Sequence, residues 1–506
     1  MPIITRSGVR ISTDSKFETY TDTMVSGEQT QITVGTLEPS TTYYAKGIAE
    51  SGGNIYISDN AIQFKTLERV VRYMTLTATA PNSTVELANY GTNATTTAPK
   101  IWYSRDLVNW TPWDFTTITL DNIGDEVHFY GENPHGIAHD NANYSTFVMS
   151  GQLEAKGDVT SLLSTDGISD LSGMGYGFYS LFENCTSLVI PPELPSIILT
   201  QSCYSRMFKG CTGLKVAPML PAMTLDVYCY ERMFLGCSSL KTAPSLPAKT
   251  LANNCYQYMF YGCTSLESGA NISSTEFPQW CCDSMYQNCT SLVTAPSLTV
   301  STLQRYACQN MFKGCSALKN VPTLNFSTVN QYACQYMFDS CTSLVTAPSL
   351  TATYVGTNGF ARMFSGCTSL ITAPELTATN IATSCYENMF NGCTSLVNPP
   401  SVLPNPSSIG DTSKYFRMFY GCTSLTHSPI MEIDHFNTND SKEMYYGCSA
   451  LTDVTCLATS ISASSCTYNW LSGVAASGTF YKNASTSWST GTSGVPSGWT
   501  VVDYVP

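Results

Sequence analysis

The chain has 506 residues, 12% of them charged and 11% aromatic, and 24 Lys+Arg against 37 Asp+Glu give a formal net charge of −13. Ten of those thirteen excess negative charges fall in residues 1–172 and no basic cluster occurs, so the phosphate-neutralising surface on which nucleic-acid affinity rests is missing. No apolar run approaches the ~20 residues of a bilayer-spanning helix, and the first thirty residues carry Arg6, Arg10, Asp14, Lys16, Glu18 and Asp22 without the apolar core of an export signal, so neither nucleic-acid binding, membrane insertion nor secretion is expected.

Residues 1–68 alternate apolar and polar side chains in ITVGTL and TYYAKGIA, the signature of half-buried strands. Residues 69–160 hold four more such runs, RYMTLTATA, STVELANYG, KIWYSRD and EVHFYGE, separated by Asn, Gly and Pro. Both stretches are predicted as β-sandwich-like modules. YSRDLVNWTPWD places Trp110 and Trp113 on a turn, where packing is the expected role. His135, His139 and Asp140 have a metal-like spacing, but GENPHGIAHDNANY is a loop sequence, so no helix face gathers them and no metal or cofactor is predicted.

From residue 161 to 455 the chain keeps time. Cys185, Cys211, Cys237, Cys263, Cys289, Cys315, Cys341, Cys367, Cys393, Cys422 and Cys448 follow one another at 26 residues, except for one interval of 29. A leucine stands three residues after every one of them, from Leu188 to Leu451. Proline stands seven residues after nine of them, as at Pro192, Pro218 and Pro244, and an apolar column runs through Leu199, Leu225, Leu251, Phe277, Leu303, Val329, Val355 and Ile381. A fixed period of this length predicts a solenoid of about eleven coils, because one repeat cannot bury its own apolar side and must share a core with its neighbours. Proline cannot donate to a ladder, so short extended segments flanking a proline corner are expected. Each coil closes on Met-Phe or Met-Tyr, usually with glycine two residues later, and segments such as CYERMF are read as one helical turn filling the core.

The 21 cysteines follow the repeat and not a pairing framework, so they are read as small core residues. Cys203, Cys229, Cys255 and Cys281 form a second ladder, and Cys282, Cys308 and Cys334 a third. Partners ~4.8 Å apart in paired strands lie within disulfide range, but parallel side-chain vectors and a reducing cytosol predict free thiols. Residues 456–506, with Trp470, Trp488 and Trp499 amid Gly, Ser and Thr, are predicted as a C-terminal cap over the last coil. The expected fold class is therefore mainly β with short helical turns: two sandwich-like modules, a solenoid and a small cap.

The FxGCTSL segment followed by a Pro-Leu column resembles BspA-like leucine-rich repeats over roughly residues 173–455, here as a 26-residue variant. Residues 1–68 resemble a fibronectin type III module, with Leu37, Tyr43 and Tyr44 at its tyrosine-bearing turn and Phe64 in its last strand. Only MPIITRS precedes GVRIST, so the module begins at about its third strand, and a second copy or another protein is expected to supply the missing one. The resemblance implies surface display in gut or oral anaerobes or their phages, with adhesion to host matrix, other bacteria or glycans.

No GxSxG elbow, P-loop or HExxH occurs and acidic residues are scattered through the repeats, so an enzyme is not expected. What the repeats offer is a nearly uncharged polar surface, with Tyr228, Trp280, Tyr306 and Tyr332 in one column and Arg206, Arg232, Tyr336 and Arg362 near the predicted helical turn. Aromatic faces stack on sugar rings and guanidinium groups bond hydroxyls, so these eight residues are the predicted ligand-binding set. The expected function is a non-enzymatic phage virion fibre or decoration protein, made in the host cytoplasm and shown on the virion surface. It would bind surface polysaccharide, mucin or a surface protein, and dock to the particle through residues 1–68. A bacterial surface adhesin presented without its signal peptide and a glycan-targeting accessory module are the alternatives. Homo-oligomerisation is compatible with a fibre, although no heptad run supports a trimer.

Overall fold

A computed structural model describes residues 6–26, 42–51, 53–65, 72–90, 98–405 and 410–505, which belong to two compact units, residues 1–71 and 72–506.

The first unit is an antiparallel sheet of β1 (Arg6–Ser12), β2 (Thr21–Ser26), β3 (Thr42–Ser51), β4 (Asn54–Ile57) and β5 (Ile62–Lys65) in the order β2-β1-β3-β4, with β5 also paired to β3. Arg10 stands opposite Asp22 across β1 and β2, and its guanidinium makes two bonds to that carboxylate, 2.7 and 2.8 Å long, while lying 3.6 Å over the Tyr20 ring. Ile11, Tyr43 and Ile48 are buried. The ITVGTL segment and Leu37 lie outside the described residues.

The second unit opens with two sheets that face each other. β6 (Met74–Ala78), β7 (Ser83–Tyr90), β8 (Ile101–Ser104), β9 (Thr111–Pro112), β10 (Ile118–Leu120), β11 (Glu126–Gly131), β12 (Tyr144–Ser150) and β13 (Leu153–Gly157) are divided between them: β10-β7-β12 in one, and β13-β6-β11-β8-β9 in the other. The alternation read in the sequence is that of inward Met74, Leu76, Val85, Leu87, Val127 and Phe129, all buried in one core. Trp113 packs between the sheets, 5.0 Å from Phe129 and 6.0 Å from Phe147, and its indole N–H donates to the Thr116 carbonyl at 2.9 Å. Trp110 instead lies edge-on to Tyr130 at 4.7 Å. His135 and His139 are exposed, and the Asp140 carboxylate accepts from the amides of Ala142 and Asn143.

The sandwich passes into the repeats without a break in the core. β13 pairs in parallel with β14 (Leu188–Ile190). Phe147 stacks on Phe182 at 5.1 Å, and the Cys185 thiol donates to the Phe147 carbonyl at 3.0 Å. The first coil thus rests on the sandwich as each later coil rests on its predecessor.

Within the repeats, β15 (Glu276–Phe277), β16 (Thr302–Leu303), β17 (Thr328–Val329), β18 (Tyr354–Val355) and β19 (Asn380–Ile381) form a parallel sheet of two-residue strands in a strict 26-residue register. Their second residues are five members of the apolar column foreseen above, and all five are buried. Isolated parallel bridges extend the same register along the proline-bearing side, for example from Thr242 to Ser268, Thr294 and Asn320.

The segment expected to be a helical turn is a run of successive β-turns, and the only helix among the described residues is a short 3₁₀ turn, Val159–Leu162. In the coil before Cys211, the amides of Cys203, Ser205, Met207, Lys209 and Cys211 each bond the carbonyl three residues back. The alternate amides, of Ser202, Tyr204, Arg206, Phe208 and Gly210, bond carbonyls of the next coil, 25 residues ahead. Half the donors therefore tie coil to coil, which an α-helix cannot do because each of its interior amides is spent on the residue four back. Every second of these turns carries a positive φ at its third residue, as a type II turn requires: Ser202 at 56°, Arg206 at 57° and Gly210 at 74° in this coil. The glycine that follows most Met-aromatic pairs stands at the last such position, which Asn288 and Ser340 fill in two coils at φ of 61° and 62°.

Side-chain columns complete the core. The cysteines of the main ladder, the leucines three residues on and the methionines of the Met-aromatic pairs are buried throughout the repeats. Their aromatic neighbours make one continuous stack, Phe182, Phe208, Phe234, Phe260, Tyr286, Phe312, Phe338, Phe364, Phe390, Phe419 and Tyr445, with neighbouring centroids 5.3–5.7 Å apart. Each main-ladder thiol donates to the carbonyl of an aromatic in the coil before, as Cys211 does to Phe182 at 2.9 Å and Cys341 to Phe312 at 3.2 Å. All 21 cysteines are free and buried, and burial pushes the Cys203 and Cys315 thiols up to about 12. A thiol held protonated and out of contact with solvent is a poor nucleophile. At pH 8 a chromogenic disulfide reagent is therefore expected to titrate almost none of the 21 thiols in the folded chain and all of them in guanidinium. Rapid reaction of several thiols without denaturant would contradict the packing.

The turn pattern continues past Cys448 through Ser465, Asn469 and Gly473, and Tyr445 donates to the Trp470 carbonyl as its counterparts do to methionine. Beyond it β20 (Asp453–Cys456), β21 (Gly478–Lys482) and β22 (Trp499–Asp503) form a parallel sheet. Trp470 stacks on Trp488 at 5.1 Å, and the indole N–H groups of Trp470 and Trp499 donate to the carbonyls of Gly494 and Ala475.

Candidate functional site

The eight residues singled out from the sequence all sit at positive φ in the turn run, at two positions four residues apart in each coil. Tyr228, Trp280, Tyr306 and Tyr332 occupy the first, with φ of 55–60°, and Arg206, Arg232, Tyr336 and Arg362 the second, with φ of 54–59°. A left-handed residue with a Cβ costs on the order of 1–2 kcal/mol, and nothing in a periodicity count reveals it. The coil-to-coil hydrogen bonds made by the same residues offset that cost: the amides of Tyr306 and Arg206, for instance, bond Gln331 and Glu231. All eight side chains are half-buried.

The structure brings the aromatics of the first column together. Trp280 and Tyr306 are parallel at 5.1 Å and 5°, and Tyr306 and Tyr332 at 4.8 Å and 2°. That geometry changes what the column can do, because each ring face inside the stack is covered by the next ring and a sugar can reach only ring edges, hydroxyls and the two outer faces. The arginines are engaged as well. Arg206 lies 5.4 Å over Tyr179, Arg232 lies 5.0 Å over Tyr258 while pairing with Glu231 at 2.9 Å, and Arg362 lies 5.5 Å over Tyr336. Lys313 approaches the Tyr336 ring at 4.4 Å. The result is a ridge of rings and guanidinium groups fixed in place, with its polar rims presented outward.

A polar ladder at the intervening position supports this ridge. The Ser205 hydroxyl donates to Glu231 at 2.9 Å, Gln257 donates to Asp283 at 2.9 Å, and Gln309 to Gln335 at 2.7 Å, each across one coil boundary. Burial pushes the Asp283 carboxyl above its ordinary range, against the hydrogen bonds it accepts.

Two grooves lie along the proline-bearing side. One, of about 670 Å³, is walled by prolines and apolar side chains of the first coils, including Pro192, Pro218, Met219 and Pro244, with Met219 left 86% exposed. The other, of about 540 Å³, is lined by Thr294, Asn320 and Thr346 from three successive coils.

Sequence reasoning missed a third place, where the sandwich meets the first coil. Tyr90 and Tyr144 stack there at 5.1 Å, and Tyr179 meets Tyr144 edge-on at 5.4 Å. Counting the 26-residue period one step back from Ser202 reaches Tyr176, which has the same positive φ, 63°. The signal was therefore present for the coil residues. For Tyr90 and Tyr144 it was not, because the strand pairing that brings them together is unmarked in the sequence.

The architecture is thus mainly β, with several sheets and stacked 26-residue repeats. Residues 281–404 match the model of a family described as "Mycoplasma protein of unknown function, DUF285". The match fits a BspA-like family of surface proteins. No curated protein matches the chain.

Proposed function

We propose that this chain is a non-enzymatic, surface-displayed adhesion protein: a BspA-like leucine-rich repeat solenoid, carried on a phage virion as a fibre or decoration protein, that binds host surface glycan or mucus. The observation that carries the reading is the aromatic stack from Phe182 to Tyr445, in which every coil repeats the placement of the last. Surface groups then recur at the spacing of paired strands, ~4.8 Å, so that a repetitive polymer meets the same weak contact many times and gains by multivalency. The family match over residues 281–404 supports surface display. The 21 free, buried thiols support folding in a reducing cytoplasm, where a virion protein is made. In this reading residues 1–68 act as a fibronectin type III-like module that docks to the particle.

The ridge of Trp280, Tyr306, Tyr332 and the neighbouring arginines is the proposed contact, through ring edges, tyrosine hydroxyls and guanidinium N–H groups. The test is a glycan and mucin array probed with the wild-type chain and with Tyr306→Ala/Tyr332→Ala. A loss of at least tenfold in array signal is expected, and unchanged binding would remove the ridge from the proposal. Mass spectrometry of purified virions and of washed cell envelopes decides the carrier: recovery with envelopes alone would favour a bacterial adhesin.

A further inference from the structure

At the junction of sandwich and repeats, β12 runs beside the first turn run. The Phe147 amide donates to the Leu181 carbonyl at 2.8 Å, and the Thr146 hydroxyl reaches the same carbonyl at 3.2 Å. A cleft of about 340 Å³ lies along this seam, with Tyr90, Tyr144, Thr146, Glu183 and Asn184 in its lining. That volume is at the small end of ligand-sized clefts, about 300–1,000 Å³.

Tyr90 and Tyr144 are direct register partners on β7 and β12, and Tyr90 remains 50% exposed. Behind Tyr144 the ring of Tyr179 packs edge-on, and Tyr179 in turn meets Tyr176 at 5.6 Å and carries Arg206 over its face. Three polar atoms in this rear layer are buried without a hydrogen-bond partner: the hydroxyls of Tyr179 and Ser180, and Nε of Arg206. Unpartnered buried polar atoms are rare in native interiors, and these three belong to the layer behind the cleft, outside its lining.

We propose that the cleft is a saccharide subsite that takes one neutral pyranose unit of a glycan. The flat apolar face of a pyranose suits the outer side of the half-exposed Tyr90 ring, which Tyr144 backs at 5.1 Å, and its hydroxyls suit the Glu183 carboxylate and the Asn184 amide. Glu183 already holds Lys209 at 2.6 Å, so that pair brings no net charge and selects neither an anion nor a cation. A quaternary ammonium has no open ring face at Tyr179, because Arg206 lies there. The inference rests on the glycan-binding reading above and adds to the ridge a second contact, at the junction.

The test uses the full chain on an array of galactose-, N-acetylgalactosamine-, glucose- and sialic acid-terminated glycans, comparing wild type, Tyr144→Ala, Asn184→Gly and the ridge variant Tyr306→Ala/Tyr332→Ala. Asn184 has a φ of 64°, which glycine adopts freely, so Asn184→Gly removes the amide while leaving the fold intact. Both junction variants are expected to lose at least tenfold in binding to neutral glycans, as the ridge variant is. Full binding by both junction variants, with loss in the ridge variant, overturns the subsite and leaves the adhesion reading standing. Preference for sialylated glycans overturns the neutral assignment, and a wild-type chain that binds no glycan overturns both readings.

Discussion

Replacing Phe312 with alanine is expected to cost about 3–5 kcal/mol, the range for deleting a buried aromatic ring, and to do so as a defect felt in both directions along the repeats. Phe312 is 1% exposed and stands 5.6 Å from Tyr286 and 5.5 Å from Phe338, parallel to both within 5°. Its loss opens a gap in the stack and removes two ring pairs worth about 0.5–1.5 kcal/mol each beyond their burial. Stacked repeats are held by nearest-neighbour interfaces, so weakening one boundary is expected to divide a single urea transition into two. Equilibrium unfolding followed by far-ultraviolet circular dichroism measures both effects. A loss under 1 kcal/mol with one unchanged transition would mean that the rings do not form a shared core.

The second large effect is expected at Lys414 and Asp440. The two side chains are 0% and 1% exposed, with Nζ and Oδ2 3.8 Å apart. They occupy the column that holds Cys203, Cys229, Cys255 and Cys385 in other coils: Lys414 follows Cys385 by the one 29-residue interval, and Asp440 follows Lys414 by 26. Lys414 also donates from Nζ to the Asp411 carbonyl at 2.6 Å, while Asp440 accepts from the amides of Lys414 and Asn437 at 3.1 and 2.7 Å. Burial raises the Asp440 carboxyl above its ordinary range, the sign that its charge is costly there. Removing one partner strands the other, so Lys414→Met or Asp440→Leu alone is expected to lose about 3–5 kcal/mol, whereas the double substitution returns to within ~1 kcal/mol of wild type or above it. A double-mutant cycle in urea measures the coupling, and simply additive losses would show that the charges do not depend on each other. The pair stands next to the one interval that breaks the period, where coils of otherwise interchangeable surface most need their register fixed.

The ridge shows where sequence reading reached and where it stopped. Tyr306 and Tyr332 were identified as members of one column because they are 26 residues apart, and they are indeed neighbours. Their mutual stacking at 4.8 Å, which closes the faces expected to receive sugar, follows from the rise between coils and not from the residue types. Arg232 and Arg362, expected to bond sugar hydroxyls, are laid over Tyr258 and Tyr336, a placement that spacing alone does not reveal. CYERMF has helix-like apolar spacing, yet its Arg232 sits at a φ of 54° and its alternate amides leave the segment. A helix and a run of turns can bury the same side chains, so burial pattern alone did not separate them.

By itself, the sequence determined the period, the columns and the shared core, because a 26-residue repeat unable to bury its own leucines and methionines must stack on its copies. It also marked the cysteines as packing residues, since a ladder of parallel side chains serves a core before it serves a cross-link. The tertiary structure alone decided the conformation of the turns, the closure of ring upon ring, the passage of the sandwich core into the first coil through Phe147 and Phe182, and the cleft beside Tyr144. All of these depend on hydrogen bonds and contacts between residues far apart in the chain, whose partners are chosen by packing and leave no mark on local spacing.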